Sequence, residues 1–456
     1  MITIGSFANL PSVSAKADID KMFALHCAVL GSTGSGKSSA VSALIHSVLE
    51  NENPKFKPRI IVIDPHGEYK KSFGDKAKIY RSYNSMTFDE NSAEIIKLPC
   101  WLMSFSELRN LIVGKTEFEA TSQNNMIMRG LGFARKRYLN LVDDFKDPKS
   151  DKKEDDPQPS SGNDQPSASF DIDRPIPFSR DDFINHILKT QADRKLNNEL
   201  SAEGKKEFEH LKNKIDVLIN DQRLDFLMSE IKKDSCYTDI NEILLQFIGG
   251  DKEIKIIDLS ETPNEITGIL IALISRLLFQ YKIHQSMSQR ENDPILIVCE
   301  EAHRYVPDRG DARYAYAQES IRRIAREGRK YGLGLMLVSQ RPADIESTVI
   351  AQCGTWLVLR LSNGADQNKV VQFLPDGLKG MTEVLSSLGR QEALFIGEGA
   401  ILPARIKIRD LKECQLPKSD DIIFSKGWEN DYLSQEDIDD ITKRMKGYCS
   451  TDHEDG

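Results

Sequence analysis

Short, continuous apolar runs recur along the chain, each closed by a glycine, a hydroxyl residue or an acid. Cys27-Ala-Val-Leu30, Arg59-Ile-Ile-Val-Ile-Asp64, Ile254-Lys-Ile-Ile-Asp-Leu-Ser260, Pro294-Ile-Leu-Ile-Val-Cys299 and Leu333-Gly-Leu-Met-Leu-Val-Ser-Gln340 are of this kind. Runs of that length, rich in β-branched residues, predict strands buried on both faces, as in a parallel sheet. Thr355-Trp-Leu-Val-Leu-Arg360-Leu predicts a further strand, and Ala393–Gly397 with Ala404–Ile408 a β-hairpin. Between them the period changes. Val41, Leu44, Ile45, Val48 and Leu49 keep the i, i+3, i+4, i+7 and i+8 spacing of a helix. Ile266–Phe279 is apolar nearly all round, which predicts a buried helix. Thr262-Pro263-Asn264-Glu265 before it reads as an N-cap, a first-turn proline and a capping-box carboxylate. Strands alternating with helices predict an α/β fold with a mainly parallel sheet.

From Trp101 to Phe247 the strand signal fades. Ser104-Phe-Ser-Glu-Leu resembles a capped helix start, and helices are expected at 117–142, 179–200 and 204–232. Residues 143–173 are rich in Asp, Lys, Pro, Ser and Gly, so a disordered loop is expected there. The expected organisation is a core in two parts, 1–100 and 248–412, interrupted by a helical insertion at 101–247 and followed by an arm at 413–456. Residues 1–26 are short and mixed and cannot form a domain alone. Ser434-Gln-Glu-Asp437 is a cap for a last short helix in the arm.

The chain has 456 residues, 39% hydrophobic and 29% charged, which is the composition of a globular protein. No apolar run reaches the ~18 residues of a membrane span, and the N-terminus carries no secretory pattern, so no membrane partner is expected. The seven cysteines are dispersed with no C-x-x-C pair, which argues for reduced thiols in a cytoplasmic setting rather than disulfides or a zinc site. A net charge of −9 excludes a protein coated in positive charge for nucleic acid, but not a local basic strip.

Chemistry concentrates in a few places. Gly31-Ser-Thr-Gly-Ser-Gly-Lys37-Ser38 matches the phosphate-binding loop G-x-x-x-x-G-K-S/T, between a predicted strand and a predicted helix. Backbone amides around Gly34, Ser35 and Gly36 would curl about phosphate oxygens, Lys37 would reach the β- and γ-phosphates, and Ser38 would sit on Mg²⁺. Ser39 is a spare hydroxyl, available to cap the helix. Asp64 closes a central strand before the turn Pro65-His66-Gly67. It reads either as a carboxylate near the metal or the attacking water, or as a cap for that turn. Glu300 and Glu301 end another buried run. Paired acids there suit a Walker B element, with Glu300 on the metal side and Glu301 on the water, an assignment that strand alternation leaves reversible. Gln340, at the end of the adjoining strand, can sense the γ-phosphate or orient water. Arg322, Arg326, Arg329 and Lys330 form a basic face on a helix expected over Gln318–Tyr331. It suits an arginine finger for a neighbouring subunit, contact with nucleic-acid phosphates, or a solvated salt-bridged surface.

Taken together, Gly31–Ser38, Asp64-Pro-His-Gly-Glu68, Ile257-Asp-Leu-Ser260, Glu300-Glu-Ala-His303, Arg326-Glu-Gly-Arg-Lys-Tyr-Gly332 and Val338-Ser-Gln-Arg-Pro342 resemble the HerA family of hexameric ATPases. The resemblance runs from about Ile4 to Ile408, with a gap in the insertion. It implies a RecA-like P-loop ATPase core, a homo-hexameric ring with ATP and Mg²⁺ at subunit interfaces, and a central channel for duplex DNA. On that analogy Lys37, Ser38 and Glu301 serve ATP in cis, Gln340 senses it, and Arg326 or Arg329 acts in trans. The family implies a partner nuclease or sirtuin-type effector, in DNA-end processing or anti-phage defence. Members usually begin with a small β-barrel, and none precedes Ile4 in this sequence. The alternatives are a ring that activates an effector without moving DNA, a secretion or conjugation motor, and, last, a small-molecule kinase.

Overall fold

The computed structural model describes residues 1–83, 93–113, 121–142, 170–187, 202–233, 237–310, 314–374, 376–418, 424–429 and 433–445. The chain divides into two compact units, one of residues 1–95 with 247–456 and one of residues 96–246. The expected boundaries lay at 101 and 247.

The first unit is built on a twelve-stranded sheet. Its strands are β1 (Ile2–Phe7), β2 (Leu10–Ala17), β3 (Cys27–Leu30), β4 (Arg59–Asp64), β5 (Ala77–Arg81), β6 (Glu94–Ile95), β7 (Ile254–Asp258), β8 (Ile295–Cys299), β9 (Leu333–Ser339), β10 (Thr355–Val358), β11 (Glu392–Gly397) and β12 (Ala404–Ile408). The order is β2-β1-β12-β11-β10-β3-β9-β8-β4-β7-β5-β6. From β10 to β6 every pair is parallel, whereas β11, β12, β1 and β2 continue it as an antiparallel edge. The central strands are buried along their whole length, as continuous apolar runs require. The mixed residues 1–26 are therefore not loose: Ile2 and Ile4, with Ala15 and Ala17, face the core, and α1 (Ile19–Ala24) is capped by the Asp18 carboxylate.

Helix α2 (Lys37–Leu49) follows the glycine loop and is buried almost throughout, through Val41, Leu44, Ile45 and Val48. Its far side is strapped by the segment after β12. The Ser42 hydroxyl donates to the Gln415 carbonyl at 2.8 Å, the Gln415 amide reaches His46 Nδ1 and Glu50, and Arg409 pairs with Glu50 at 2.6 Å. The Lys418 amide donates to the Glu68 carbonyl.

The apolar helix runs from Asn264 to Ile283. By length and composition it could cross a membrane, but 72% of the window Ile266–Ile283 is buried within the protein. Its start differs from expectation. Pro263 is the capping residue, with no side-chain cap, and the Thr262 hydroxyl instead meets Ser82 Oγ at 3.0 Å.

The second unit, among its described residues, is helical. Phe105–Val113 begins with the expected box: Glu107 N–H donates to Ser104 Oγ and Ser104 N–H to Glu107 Oε2. Helices follow at Thr121–Tyr138, 180–187, Ala202–Asn220 and Asp225–Lys233. The continuous helix expected over 204–232 is broken at Asp221, whose carboxylate caps a short turn through the Arg223 amide. Of the loop expected at 143–173, residues 143–169 lie outside the described residues. Residues 170–173 are packed: the Ile172 carbonyl accepts from the fully buried Arg135, and Asp173 accepts from the Phe105 amide. Arg135 also donates to the carbonyls of Trp101 and Met103, at 2.7 and 2.8 Å.

Candidate active site

The carboxyl ends of β3, β4, β8 and β9, neighbours in the parallel part of the sheet, carry the predicted chemistry. This is where open α/β sheets bind ligands. The loop from Gly31 to Gly36 joins β3 to α2 without a side-chain cap. Gly34 (φ +73°) and Gly36 (φ +93°) take left-handed backbone, which a side chain would strain. The donors at the start of α2 are thereby left to an anion.

Lys37 is buried and its Nζ lies 3.3 Å from Glu301 Oε1. Glu301 itself is left-handed (φ 51°, ψ 44°), an uncommon conformation for a glutamate, costing about 1–2 kcal/mol. Strand β8 ends at Cys299, so alternation does not govern the two acids. The left-handed turn brings Glu301 onto Lys37, while Glu300, also buried, remains within the field of the same lysine. Burial pushes the Glu300 carboxyl up to about 8, with Lys37 opposing and Glu301, Asp64 and Glu68 adding to the rise. Its Oε2 is buried and has no hydrogen-bond partner.

Asp64 is fully buried and spends both oxygens on its turn. Oδ1 accepts from the amides of His66, Gly67 and Glu68, and Oδ2 from Tyr69. This is the capping geometry. Burial nevertheless raises its carboxyl to about 7, against the turn amides, with Asp258 and Glu68 contributing.

Gln340 follows β9, and its Oε1 accepts from the Thr33 hydroxyl of the loop at 2.6 Å. The structure thus joins Gln340 to the phosphate loop and Lys37 to Glu301. Arg326 and Arg329 are elsewhere. Arg329 lines a cavity of about 290 Å³ with Pro58, Arg59, Pro294 and Leu333, at the amino ends of β4, β8 and β9. Both arginines are exposed. The basic face expected over Gln318–Tyr331 divides: the helix is Ala315–Glu327 and a 3₁₀ turn continues to Tyr331. Arg322 is bound to Glu346 by a two-nitrogen fork at 2.8 and 2.9 Å, a structural pair within the chain. Arg323 lies over the Phe279 ring.

His303 closes the Glu300-Glu-Ala-His303 motif, and the sequence gives it no role of its own. Its Nδ1 hydrogen-bonds with Ser339 Oγ at 3.1 Å and lies 3.1 Å from Glu301 Oε2. Burial lowers its pKa, with Glu301 opposing, so the ring is neutral near pH 7. Gln391, at φ 64°, backs the loop: its amide donates to the Ser35 carbonyl.

The donor set fits a nucleotide with a divalent cation. A buried carboxylate oxygen without a partner, beside two further acids, is what a cation neutralises, and the loop supplies amides for phosphate. A family model described as the central domain of the helicase HerA matches residues 2–278. The chain belongs to the HerA family. It is a P-loop ATPase with a RecA-like fold. A Methanocaldococcus jannaschii protein named "probable helicase" is 26% identical over 454 residues, covering 98% of this chain and 74% of its own length. The DNA double-strand break repair helicase HerA of Pyrococcus furiosus is 24% identical over 444 residues, covering 90% and 70%. Among solved structures, VirB4 of Thermoanaerobacter pseudethanolicus superposes with a TM-score of 0.54 at 15% identity, covering 91% of this chain and 97% of that one. The conjugative coupling protein TrwB gives 0.53 at 15% identity, covering 91% of each chain. At such identity these two show a shared fold.

Proposed function

We propose that the chain is the ATP-hydrolysing subunit of a homo-hexameric ring that translocates duplex DNA, acting in the cytoplasm with a partner nuclease or sirtuin-type effector, in DNA-end processing or anti-phage defence. The contact that carries the ATPase part is Lys37 to Glu301, which ties the loop to the acid pair at 3.3 Å. The DNA part is supported by the HerA relatives, which are named as repair helicases.

In this reading the loop amides and Lys37 hold the β- and γ-phosphates. Ser38 and Glu300 hold Mg²⁺, which when bound offsets phosphate charge. Glu301 Oε2, buried and without a well-aligned hydrogen bond, accepts the proton of the attacking water. The water oxygen bonds to the γ-phosphorus as the bond to the β–γ bridging oxygen breaks, giving ADP and inorganic phosphate. Gln340 reports occupancy through Thr33.

The position of Arg329 supports action in trans. It sits at the amino end of β9, a seven-residue strand spanning ~23 Å, whereas the loop lies at the carboxyl end of the neighbouring β3. An arginine there meets a neighbour's nucleotide rather than its own.

The test is ATPase rate with and without linear duplex DNA, together with particle mass in solution. A hexamer whose turnover DNA stimulates supports the motor. A hexamer indifferent to DNA overturns translocation and favours a ring that activates its effector directly.

A further inference from the structure

The acid pair and the sensing glutamine stand on different strands, β8 and β9, and something must hold them in register beyond the backbone. The sheet aligns Cys299 with Leu337, so the chain leaves β8 just as β9 has Ser339 still to come. Glu301 opens a 3₁₀ turn, Ala302–Arg304, that carries His303 back toward β9. There Nδ1 faces two oxygens, Ser339 Oγ and Glu301 Oε2, each at 3.1 Å. Ser339 is fully buried, and its hydroxyl already accepts the Arg341 amide at 3.0 Å. The next residue is Gln340, bound to Thr33 of the loop.

We infer that His303 is a positioning residue for ATP hydrolysis: its Nδ1, hydrogen-bonded to Ser339 Oγ and 3.1 Å from Glu301 Oε2, packs against the Glu301 carboxylate and ties it to the strand end that bears Gln340. The Glu301 carboxylate only accepts, so the proton of the neutral ring belongs on Nδ1, beside Oε2, with Ser339 Oγ as its hydrogen-bond acceptor. With that proton directed at Ser339 Oγ, Glu301 Oε2 has no hydrogen-bond partner and its lone pair stays open for a proton. The imidazole thus restrains the acid without consuming its basicity. The other oxygen of Glu301 is held by Lys37, which phosphate also demands. Once Lys37 turns to phosphate, His303 is, among the described residues, the remaining side chain against Glu301. The ring touches no reacting atom in this scheme. It acts through Glu301.

This inference rests on the ATPase site proposed above, and the test separates the two. The kcat and KM for ATP are measured for the full chain carrying His303→Ala, His303→Asn and Ser339→Ala, each also in a Glu301→Gln background under single-turnover conditions, with Lys37→Ala as reference. His303→Ala lowers kcat by about 10–100-fold with KM nearly unchanged, since misplacement of a reacting group costs rate rather than binding. His303→Asn, whose amide nitrogen can take the Nδ1 position, recovers kcat to within about threefold. Ser339→Ala gives a smaller loss in kcat alone. In the Glu301→Gln background His303→Ala has no further effect, because the group it serves is gone. An equal proportional loss with and without Glu301, a loss appearing in KM, or no loss at all overturns the inference. Tm and ATP binding of the variants identify any loss that comes from unfolding, and His303→Asn then decides. Normal hydrolysis by Lys37→Ala would instead overturn the site itself.

Discussion

Two regions of this molecule bury charge, and they do so differently. In the helical unit, the guanidinium of Arg135 is fully buried and donates to three backbone carbonyls, those of Trp101, Met103 and Ile172. The charge is consumed by architecture: it closes turns that no strand pairing would satisfy. At the carboxyl ends of β4 and β8, Glu300 is buried within the fields of Asp64 and Glu301, which are buried too, and it keeps an oxygen with no partner. A buried acid left short of partners costs stability, and a fold retains that cost where a ligand or a reaction uses it. The three carbonyls on Arg135 mark a fastening, and the clustered acids around Glu300 mark chemistry.

The largest effect expected is on the second region. Lys37→Ala should abolish ATP hydrolysis while far-UV circular dichroism and Tm stay close to wild type; normal turnover would dissolve the contrast. Glu301→Gln should lower kcat by about 10²–10⁴-fold with ATP binding retained. The first region answers in stability instead. Arg135→Ala strands the carbonyls it serves and should cost the helical unit about 2–4 kcal/mol, read as protease sensitivity within residues 96–246 at unchanged ATP affinity. Were ATP affinity lost first, Arg135 would belong with the chemistry.

A smaller effect tests the cost of the acids directly. With folded values raised to about 8 for Glu300 and about 7 for Asp64, the folded state keeps protons that the unfolded chain releases near pH 4. The folded state then binds more protons than the unfolded one, so these two groups lower stability as pH rises from about 4 to 8. Glu300→Gln removes its share. Without Mg²⁺, its Tm should fall less across that window and exceed wild type by about 2–4 °C at pH 8. Parallel Tm profiles would show that burying Glu300 costs nothing. The smallest effect is a cap: Ser104→Ala should destabilise the helix Phe105–Val113 by about 1 kcal/mol in denaturant titration.

The central strands could be read from sequence because burial on both faces leaves an uninterrupted apolar run, and β3, β4 and α2 begin and end where the pattern does. The edge could not. In β2 five successive residues are exposed and only Ala15 and Ala17 are buried, so the strand owes its existence to β1, itself held by β12 some four hundred residues along the chain. Pattern reads faces, not distant partners. The loop, the acid pair and Gln340 were legible as types at known spacing. The left-handed backbone at Glu301 was not, because φ leaves no trace in residue type away from glycine and asparagine. His303 escaped for the same reason, since only that turn gives it a role. Arg322 looked like its neighbours until Glu346, far along the chain, appeared beside it.

The strand bearing the phosphate loop has both its neighbours late in the chain. β3 ends at Leu30, yet it is flanked by β9 and β10, which begin at Leu333 and Thr355, and α2 behind it is strapped by Gln415. On the ribosome, the loop emerges well before the two strands that enclose it. A nascent chain that has reached residue 330 displays Gly31–Ser38 with no strand on either side of it. Synthesis must therefore pass β9 and β10 before the chain can hold ATP, and a chain truncated upstream of β10 yields no half-built ATP site.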